Sequence, residues 1–219
     1  MMTVIVKGGL QEGSGESRPQ APGFIPVEEE VHAMVSDTRR KMVVGAALLL
    51  AEGGLQEASF TQVLARTGAP RGSIYHHFPE GKDELVAAAI DLAGAHATQL
   101  IDRMEGSSAG EITRRFIGIW REVLTRSNLR SGCSVLAVTV ATDSADLLAH
   151  AATVFRSWRR RLAELLQIGG LAVSAADHFA ATLIAAMEGA VVLSRAEQTM
   201  DPFELVAEQL ATQVDALTA

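Results

Sequence analysis

The chain of 219 residues has a single cysteine, few aromatic side chains and no long apolar run. One cysteine, Cys133, excludes an intrachain disulfide, so nothing in the sequence indicates an oxidising compartment. The longest unbroken run of apolar residues and glycine, at 42–51, is ten residues long, whereas a membrane-spanning helix needs about 20. Glycines at once follow the short apolar start, which is not the pattern of a secretory signal. We therefore expect a cytoplasmic protein that does not enter a membrane.

Aromatic residues make up only 5% of the chain, whereas alanine is abundant, with 35 residues. Alanine loses no side-chain entropy in a helix, so this composition favours helices over sheets. The net charge of -7 argues at first sight against nucleic acid as a partner. However, residues 36–82 contain six basic and four acidic residues, and the acidic excess falls on residues 1–35 and 83–219. Phosphate binding depends on the local field, so a DNA contact by residues 36–82 is compatible with the acidic total.

Three segments differ in pattern. Residues 1–35 are rich in glycine, serine and proline and lack any helical or strand period, which predicts a disordered tail. Alternatively, Met34 is the native start and the preceding residues are an upstream extension. A helix is expected to begin at the cap Ser36 and to stop at Gly53 and Gly54. Beyond it, the pattern predicts helices at 83–104, 111–127, 133–141, 146–166, 174–195 and 202–217, although 134–140 is prone to form a strand.

Residues 59–78 show the layout of a helix-turn-helix, in which a glycine-containing turn joins two short helices. Ser59 predicts the cap of the first helix, and Pro70 suits the first position of the second. Ile74 and Phe78 point to one side of that second helix and leave a small, polar face that suits a major groove. The candidate DNA-binding residues are Thr61, Arg71, Gly72, Ser73, Tyr75, His76 and Lys82.

These residues have distinct expected roles. Arg71 reads guanine or pairs with phosphate, and Gly72 lets the backbone approach DNA closely. The side chains expected to donate to phosphate oxygens are Thr61, Tyr75, His76 and Lys82. The alternative is an ordinary solvated helix face. Neighbouring His76 and His77 diverge by 100° on a helix and lack a third ligand, so we expect no metal. No catalytic motif or phosphate-cradling loop is present, and we expect neither a cofactor nor an enzyme.

The region 37–95 resembles the DNA-binding domain of TetR (tetracycline repressor) family regulators. The resemblance rests on Phe60, Thr61, Ala65 and Gly68, on RGSIYHHFP at 71–79 and on GKDEL at 81–85. It implies an all-α fold, with a three-helix helix-turn-helix DNA-binding domain at 36–82 and a helical effector-binding and dimerisation domain at 83–219. One departure is Pro70, since the family often has a serine or threonine cap there that contacts phosphate. Residues 132–137 (GCSVLA) also resemble a subgroup linked to drug efflux and small aromatic compounds.

The resemblance implies a homodimer and an apolar effector pocket in the second domain. Small residues recur in the helix at 174–195, and the last helix is amphipathic, which fits the two-fold four-helix interface that the resemblance implies. The alternative is intrachain packing alone. The candidate interface residues are Ala181, Ala185, Gly189 and Leu210. The candidate pocket residues, for which core packing is the alternative, are Phe116, Trp120, Cys133, Leu136, Val140, Phe155, Trp158, Phe179 and Met187. We interpret the basic cluster of Arg156, Arg159, Arg160 and Arg161 as a solvated face rather than an acidic ligand site or a second DNA contact.

The sequence thus predicts a ligand-responsive transcriptional regulator, a repressor in our interpretation, although an activator remains open. It binds a pseudopalindromic double-stranded DNA operator as a dimer and is released by a small hydrophobic or aromatic effector. The alternative is a helical ligand-binding or scaffold protein that uses its helix-turn-helix for protein contacts. An all-helical enzyme is a more distant third.

Overall fold

The computed structural model of the protein describes residues 38–218. Within this range the chain forms helices and no strand, which confirms the predicted all-α fold. The helices are α1 Thr38–Gly53, α2 Phe60–Thr67, α3 Arg71–His77, α4 Lys82–Asp102, α5 Ala109–Arg126, α6 Ser134–Ala141, α7 Ala145–Ile168, α8 Val173–Glu197 and α9 Asp201–Thr218. The predicted tail at 1–35 and the predicted cap Ser36 lie outside the described residues.

The helices predicted after residue 82 are all present, and no end differs from its prediction by more than two residues. The strand-prone run at 134–140 is helical in α6, where Val135 and Val138 are fully buried, so packing overrides the local preference. The start of the second short helix differs by one residue. Pro70 has an extended backbone (φ -62°, ψ 137°) and is the N-cap, so α3 begins at Arg71 rather than at Pro70.

A contiguous hydrophobic core runs through the described residues. In the head, which we define as α1–α3, Met42, Val63, Ile74 and Phe78 are fully buried. In the body, which we define as α5–α9, α8 packs against both α7 and α9, and α5 packs against α9. The connecting helix α4 packs against α1 in the head and α7 in the body. The head and the body therefore both pack against α4.

By length and composition α8 is able to cross a membrane, and it is the one helix of the described chain that meets this criterion. Half of its apolar window is nevertheless buried inside the protein. Core helices of globular proteins satisfy the same test because they are apolar on several faces. We therefore interpret α8 as a core helix of the body.

The crossing of α4 and α7 depends on a missing side chain. A Cβ atom at Gly94 would lie 2.8 Å and 2.9 Å from the two methyl carbons of Val154. The indole Nε1 of Trp158 donates a hydrogen bond to the Gly94 carbonyl oxygen at 3.1 Å. Gly118 in α5 is also helical, but a Cβ there would meet nothing within 4 Å. Both glycines are therefore helical, but only Gly94 lies at a close contact between two helices.

We predict that Gly94→Ala and Gly118→Ala change stability in opposite directions. Gly94→Ala should lower the free energy of unfolding by about 1–3 kcal/mol, because the methyl group forces α4 and α7 apart. Gly118→Ala should raise it by about 0.5–1 kcal/mol, because alanine is the better helix former in open space. Denaturant titration followed by circular dichroism measures both changes. A shift of the same sign for both variants would contradict the assigned close approach.

Candidate DNA-binding surface and ligand groove

The two short helices of the head are set by local capping. The Ser59 hydroxyl accepts a hydrogen bond from the Gln62 amide at 3.3 Å and begins α2, as predicted. Gly68 ends α2 in the left-handed conformation (φ 68°), which a side chain would strain, and its amide donates to the Leu64 carbonyl. Arg66 of α2 makes a bidentate ion pair with Glu52 of α1 at 2.8 Å and 3.1 Å. These contacts fix the angle at which α3 leaves the turn.

α3 presents a polar face outward and an apolar face inward. Ile74 and Phe78 are fully buried, as the wheel predicts. Five of the predicted DNA-binding residues are exposed: Arg71, Gly72, Tyr75 and His76 on α3, and Thr61 in the first turn of α2. The Tyr75 side chain is 69% exposed, and its ring contacts Phe60 edge to face with centroids 5.5 Å apart. This contact holds the Tyr75 ring at the junction of α2 and α3.

Two predicted DNA-binding residues have intramolecular partners. The Ser73 hydroxyl donates to the Pro70 carbonyl at 2.6 Å, so its hydrogen is engaged by the backbone at the start of α3. The Lys82 ammonium donates to the Leu55 carbonyl at 2.7 Å and ties the start of α4 to the turn after α1. Both side chains are half-buried. The contacts of both residues with DNA remain predictions. The sequence did not reveal that both side chains also form hydrogen bonds within the head.

An open groove of about 830 Å³ lies in the body between α6, α7 and α8. Its lining consists of Leu136, Phe155, Arg159, Ala181, Ile184, Ala185, Glu188, Gly189, Val192 and Leu193. Its volume is in the range of sites that hold one small molecule. The lining is apolar except for Arg159 and Glu188.

Two of the predicted pocket residues, Leu136 and Phe155, line this groove. Val140 does not, because it lies in the last turn of the short α6 and is 74% exposed. The other predicted pocket residues are packed in the core, which is the alternative stated for them. They are Phe116, Trp120, Cys133, Trp158, Phe179 and Met187.

The predicted dimer face overlaps the groove. Ala181, Ala185 and Gly189 are at least partly exposed and line it, and a Cβ at Gly189 would meet nothing within 4 Å. Leu210 is different, since it is 2% exposed on the inner side of α9. Intrachain packing therefore describes Leu210, because the period of an amphipathic helix does not say which neighbour covers the apolar side.

Glu188 is a candidate site residue that sequence reasoning missed. Its side chain is buried, and neither carboxylate oxygen has a hydrogen-bond partner among the described residues. Burial raises the pKa of Glu188 to about 7, although the nearby Cys133 thiol opposes part of the rise. The available signal was a single acidic residue in the apolar stretch 179–193.

Cys133 lies beside this carboxyl group. Its Sγ accepts a hydrogen bond from the Leu136 amide at 3.3 Å and so caps α6. Burial, together with the negative charge of Glu188, raises the pKa of the Cys133 thiol well above its usual value. The thiol therefore stays protonated at neutral pH and is a poor nucleophile.

The groove helices also touch the head directly. Arg195 of α8 donates to the Glu52 carbonyl at 3.0 Å, and the Gly132 amide, just before α6, donates to the Ala51 carbonyl at 2.9 Å. Both acceptors lie in the last turn of α1, where carbonyl groups lack partners within the helix. The Glu52 side chain meanwhile binds Arg66 of α2. A movement of α6 or α8 therefore has a path to the helix-turn-helix.

A capped helix-turn-helix with an outward polar face, carried on a helical body, defines a DNA-binding regulator. The profile of the bacterial tetR-family regulatory proteins matches residues 43–89, and that of the LmrA/YxaF-like transcriptional regulator C-terminal domain matches residues 109–209. The chain belongs to the TetR family of bacterial transcriptional regulators. The members of this family are transcriptional regulators, which are generally non-enzymatic.

Relatives and solved structures agree with this family. The chain is 36% identical over 179 residues to the uncharacterized HTH-type transcriptional regulator Rv0196 of Mycobacterium tuberculosis, covering 78% of this chain and 91% of that one. It is 30% identical over 182 residues to the regulator YxaF of Bacillus subtilis, covering 81% and 95%. A TetR regulator structure from Chloroflexus aurantiacus superposes with a TM-score of 0.67 at 29% identity, covering 81% and 94%.

We predict that Glu188→Gln stabilises the protein in a pH-dependent way. Because folding raises the pKa of Glu188, ionising this carboxyl is less favourable in the folded state than in the unfolded chain. The resulting loss of stability begins near the ordinary pKa of 4.5, where the unfolded carboxyl ionises, and is complete above about 7. The amide removes this penalty, so the gain should be near zero at pH 4 and roughly 1–3 kcal/mol at pH 8. Thermal unfolding at both pH values measures it. Glu197→Gln, on the exposed end of the same helix, is the control, and an equal gain there would contradict the burial effect.

Proposed function

We propose that the chain is a homodimeric repressor whose two heads bind the half-sites of a pseudopalindromic operator. The observation that carries this proposal is the outward face of α3, where Arg71, Gly72, Tyr75 and His76 are exposed while Ile74 and Phe78 anchor the helix. A short helix held this way suits a major groove, with Arg71 on a base edge and Tyr75 and His76 on phosphates.

The charge distribution supports the proposed orientation on DNA. Residues 36–82 have six basic and four acidic residues, whereas residues 83–219 have eleven basic and seventeen acidic residues. Phosphate repels the acidic body and so disfavours other poses. The head's small positive excess is too weak for tight binding by one copy, which favours a dimer with two reading helices.

The exposed small residues of α8 support a dimer through this face. Ala181, Ala185 and Gly189 follow one another at four-residue steps, and Val192 and Leu193 are each 49% exposed beside them. Small residues let a second helix approach closely, and the neighbouring apolar groups gain from being covered. A partner helix at this position would also roof the groove.

An effector in the groove would act on the head by two routes. α4 connects body and head as one long helix, so its tilt changes the spacing between reading helices. Arg195 and Gly132 hold the end of α1 from the groove side. A small hydrophobic or aromatic effector releases DNA only if it binds the non-operator conformation more tightly.

We predict that the double substitution Tyr75→Ala and His76→Ala weakens operator binding roughly tenfold or more, because it removes two phosphate contacts. Gel shifts with the DNA upstream of the protein's own gene, in excess non-specific competitor, measure the change. His178→Ala, an exposed histidine on α8, is the control. Unchanged affinity in the double variant would overturn the assignment of this face. If the wild-type protein does not bind this DNA in the presence of competitor, the result would favour the scaffold alternative.

We predict that Gly189→Leu yields monomers that bind the operator poorly. The leucine side chain projects from the small-residue face and blocks close approach of a second helix. Multi-angle light scattering measures the mass, with Gly118→Ala as a glycine control in α5. A Gly189→Leu protein that remains dimeric would place the interface elsewhere.

A further inference from the structure

Glu188 is a buried acid without a cationic partner among the described residues, in a groove that is otherwise apolar on that side. Its side chain is 6% exposed, and both oxygens are shielded from solvent without a hydrogen bond from the described residues. Burying a carboxylate without a compensating charge or donor is unfavourable, and the penalty falls when a ligand supplies either one. The arrangement therefore leaves an interaction for a molecule in the groove to complete.

The charged and titratable groups around Glu188 do not complete it. The Cys133 thiol is protonated and uncharged at neutral pH. Arg195, seven residues along α8, is committed to the Glu52 carbonyl in the head. Arg159 of α7 lines the same groove, but it is solvent-exposed and makes no ion pair or hydrogen bond with the described residues. A cation for Glu188 is therefore missing from its surroundings.

The remaining walls select for an apolar body. Leu136, Phe155, Ile184 and Val192 contribute aliphatic and aromatic surface to a groove of about 830 Å³, which has room for a ring system beneath the face that a second copy would cover. Phe155 contacts Trp158 edge to face with centroids 5.4 Å apart, which extends the aromatic wall into the core. The free guanidinium of Arg159 disfavours a second positive charge on the ligand.

We propose that the groove binds a lipophilic aromatic amine carrying one positive charge, with the ammonium group paired to Glu188 and the ring system packed between Phe155 and α8. This inference rests on the regulatory function proposed above, for which it names the effector class. The carboxylate oxygens are covered in the unliganded groove, so the ammonium must displace apolar neighbours to reach them. The charge-assisted hydrogen bond formed in that dry setting offsets the displacement.

The test is calorimetric titration of the full chain with a matched pair of probes, 1-naphthylmethylamine and the neutral 1-naphthalenemethanol. We expect the amine to bind roughly tenfold or more tightly than the alcohol. Glu188→Gln should abolish this preference, and Glu197→Gln should retain it. Equal affinities for both probes in the wild type, an undiminished preference in Glu188→Gln, or no binding of either probe would each overturn the proposal.

A pH series separates a charge interaction from a packing effect. Because the pKa of Glu188 is about 7, its ionised fraction, and hence the amine affinity, should rise roughly tenfold between pH 6 and pH 8. The alcohol affinity and the Glu188→Gln protein should show no such rise, and a flat profile for the wild-type amine would overturn the proposal. These titrations contain no DNA. Operator binding without a Glu188-dependent amine preference would therefore defeat this inference alone, whereas that preference without operator binding would defeat the proposed function alone.

Discussion

The constraint on which the rest of the structure depends is that α4 is held at both ends by different parts of the molecule. At its start, Lys82 donates to the Leu55 carbonyl in the head. At its end, Asp102 pairs with Arg161 of α7 at 2.6 Å in the body. In between, Gly94 allows contact with Val154, so α4 cannot slide along α7 without a clash. A helix of 21 residues spans about 30 Å, and a small tilt at the body becomes a larger displacement at the head.

A second attachment keeps the head from turning freely about the start of α4. Arg195 and the Gly132 amide both bind carbonyl groups in the last turn of α1, where the helix dipole favours a positive group. Glu52 also connects this contact to α2, because its carbonyl accepts a hydrogen bond from Arg195 while its carboxylate pairs with Arg66. The head is therefore positioned by two contacts on different sides. A change in the relative position of α4 and α8 must either rotate the head or break one of them.

Local rules made the head predictable from sequence, and non-local packing made the groove unpredictable. Ser59, Gly68 and Ile74 act through neighbours within four residues, so capping chemistry and helical period locate the helix-turn-helix. Leu210 and Val140 show the limit, because the period identifies an apolar side but not whether another helix covers it. The sequence predicts a phosphate contact for Lys82 but not its hydrogen bond to the Leu55 carbonyl, which is 27 residues distant in sequence. Glu188 carried a signal, a single acid in the apolar stretch 179–193, whose meaning depends on whether a cation lies nearby.

The positions of Glu188 and Arg195 connect the groove to the head through one rigid element. Seven residues separate them on α8, which is two helical turns or about 10 Å, so they lie on nearly the same side of the helix. Arg195 binds the end of α1, while Glu188 has no cationic partner in the part of the chain that the structure describes. Neutralising the buried carboxylate therefore favours whichever position of α8 best closes the groove around the cation. If that position differs from the one in which Arg195 reaches Glu52, charge pairing in the groove and the hold on α1 compete directly, and the free-energy difference between the two states sets the coupling.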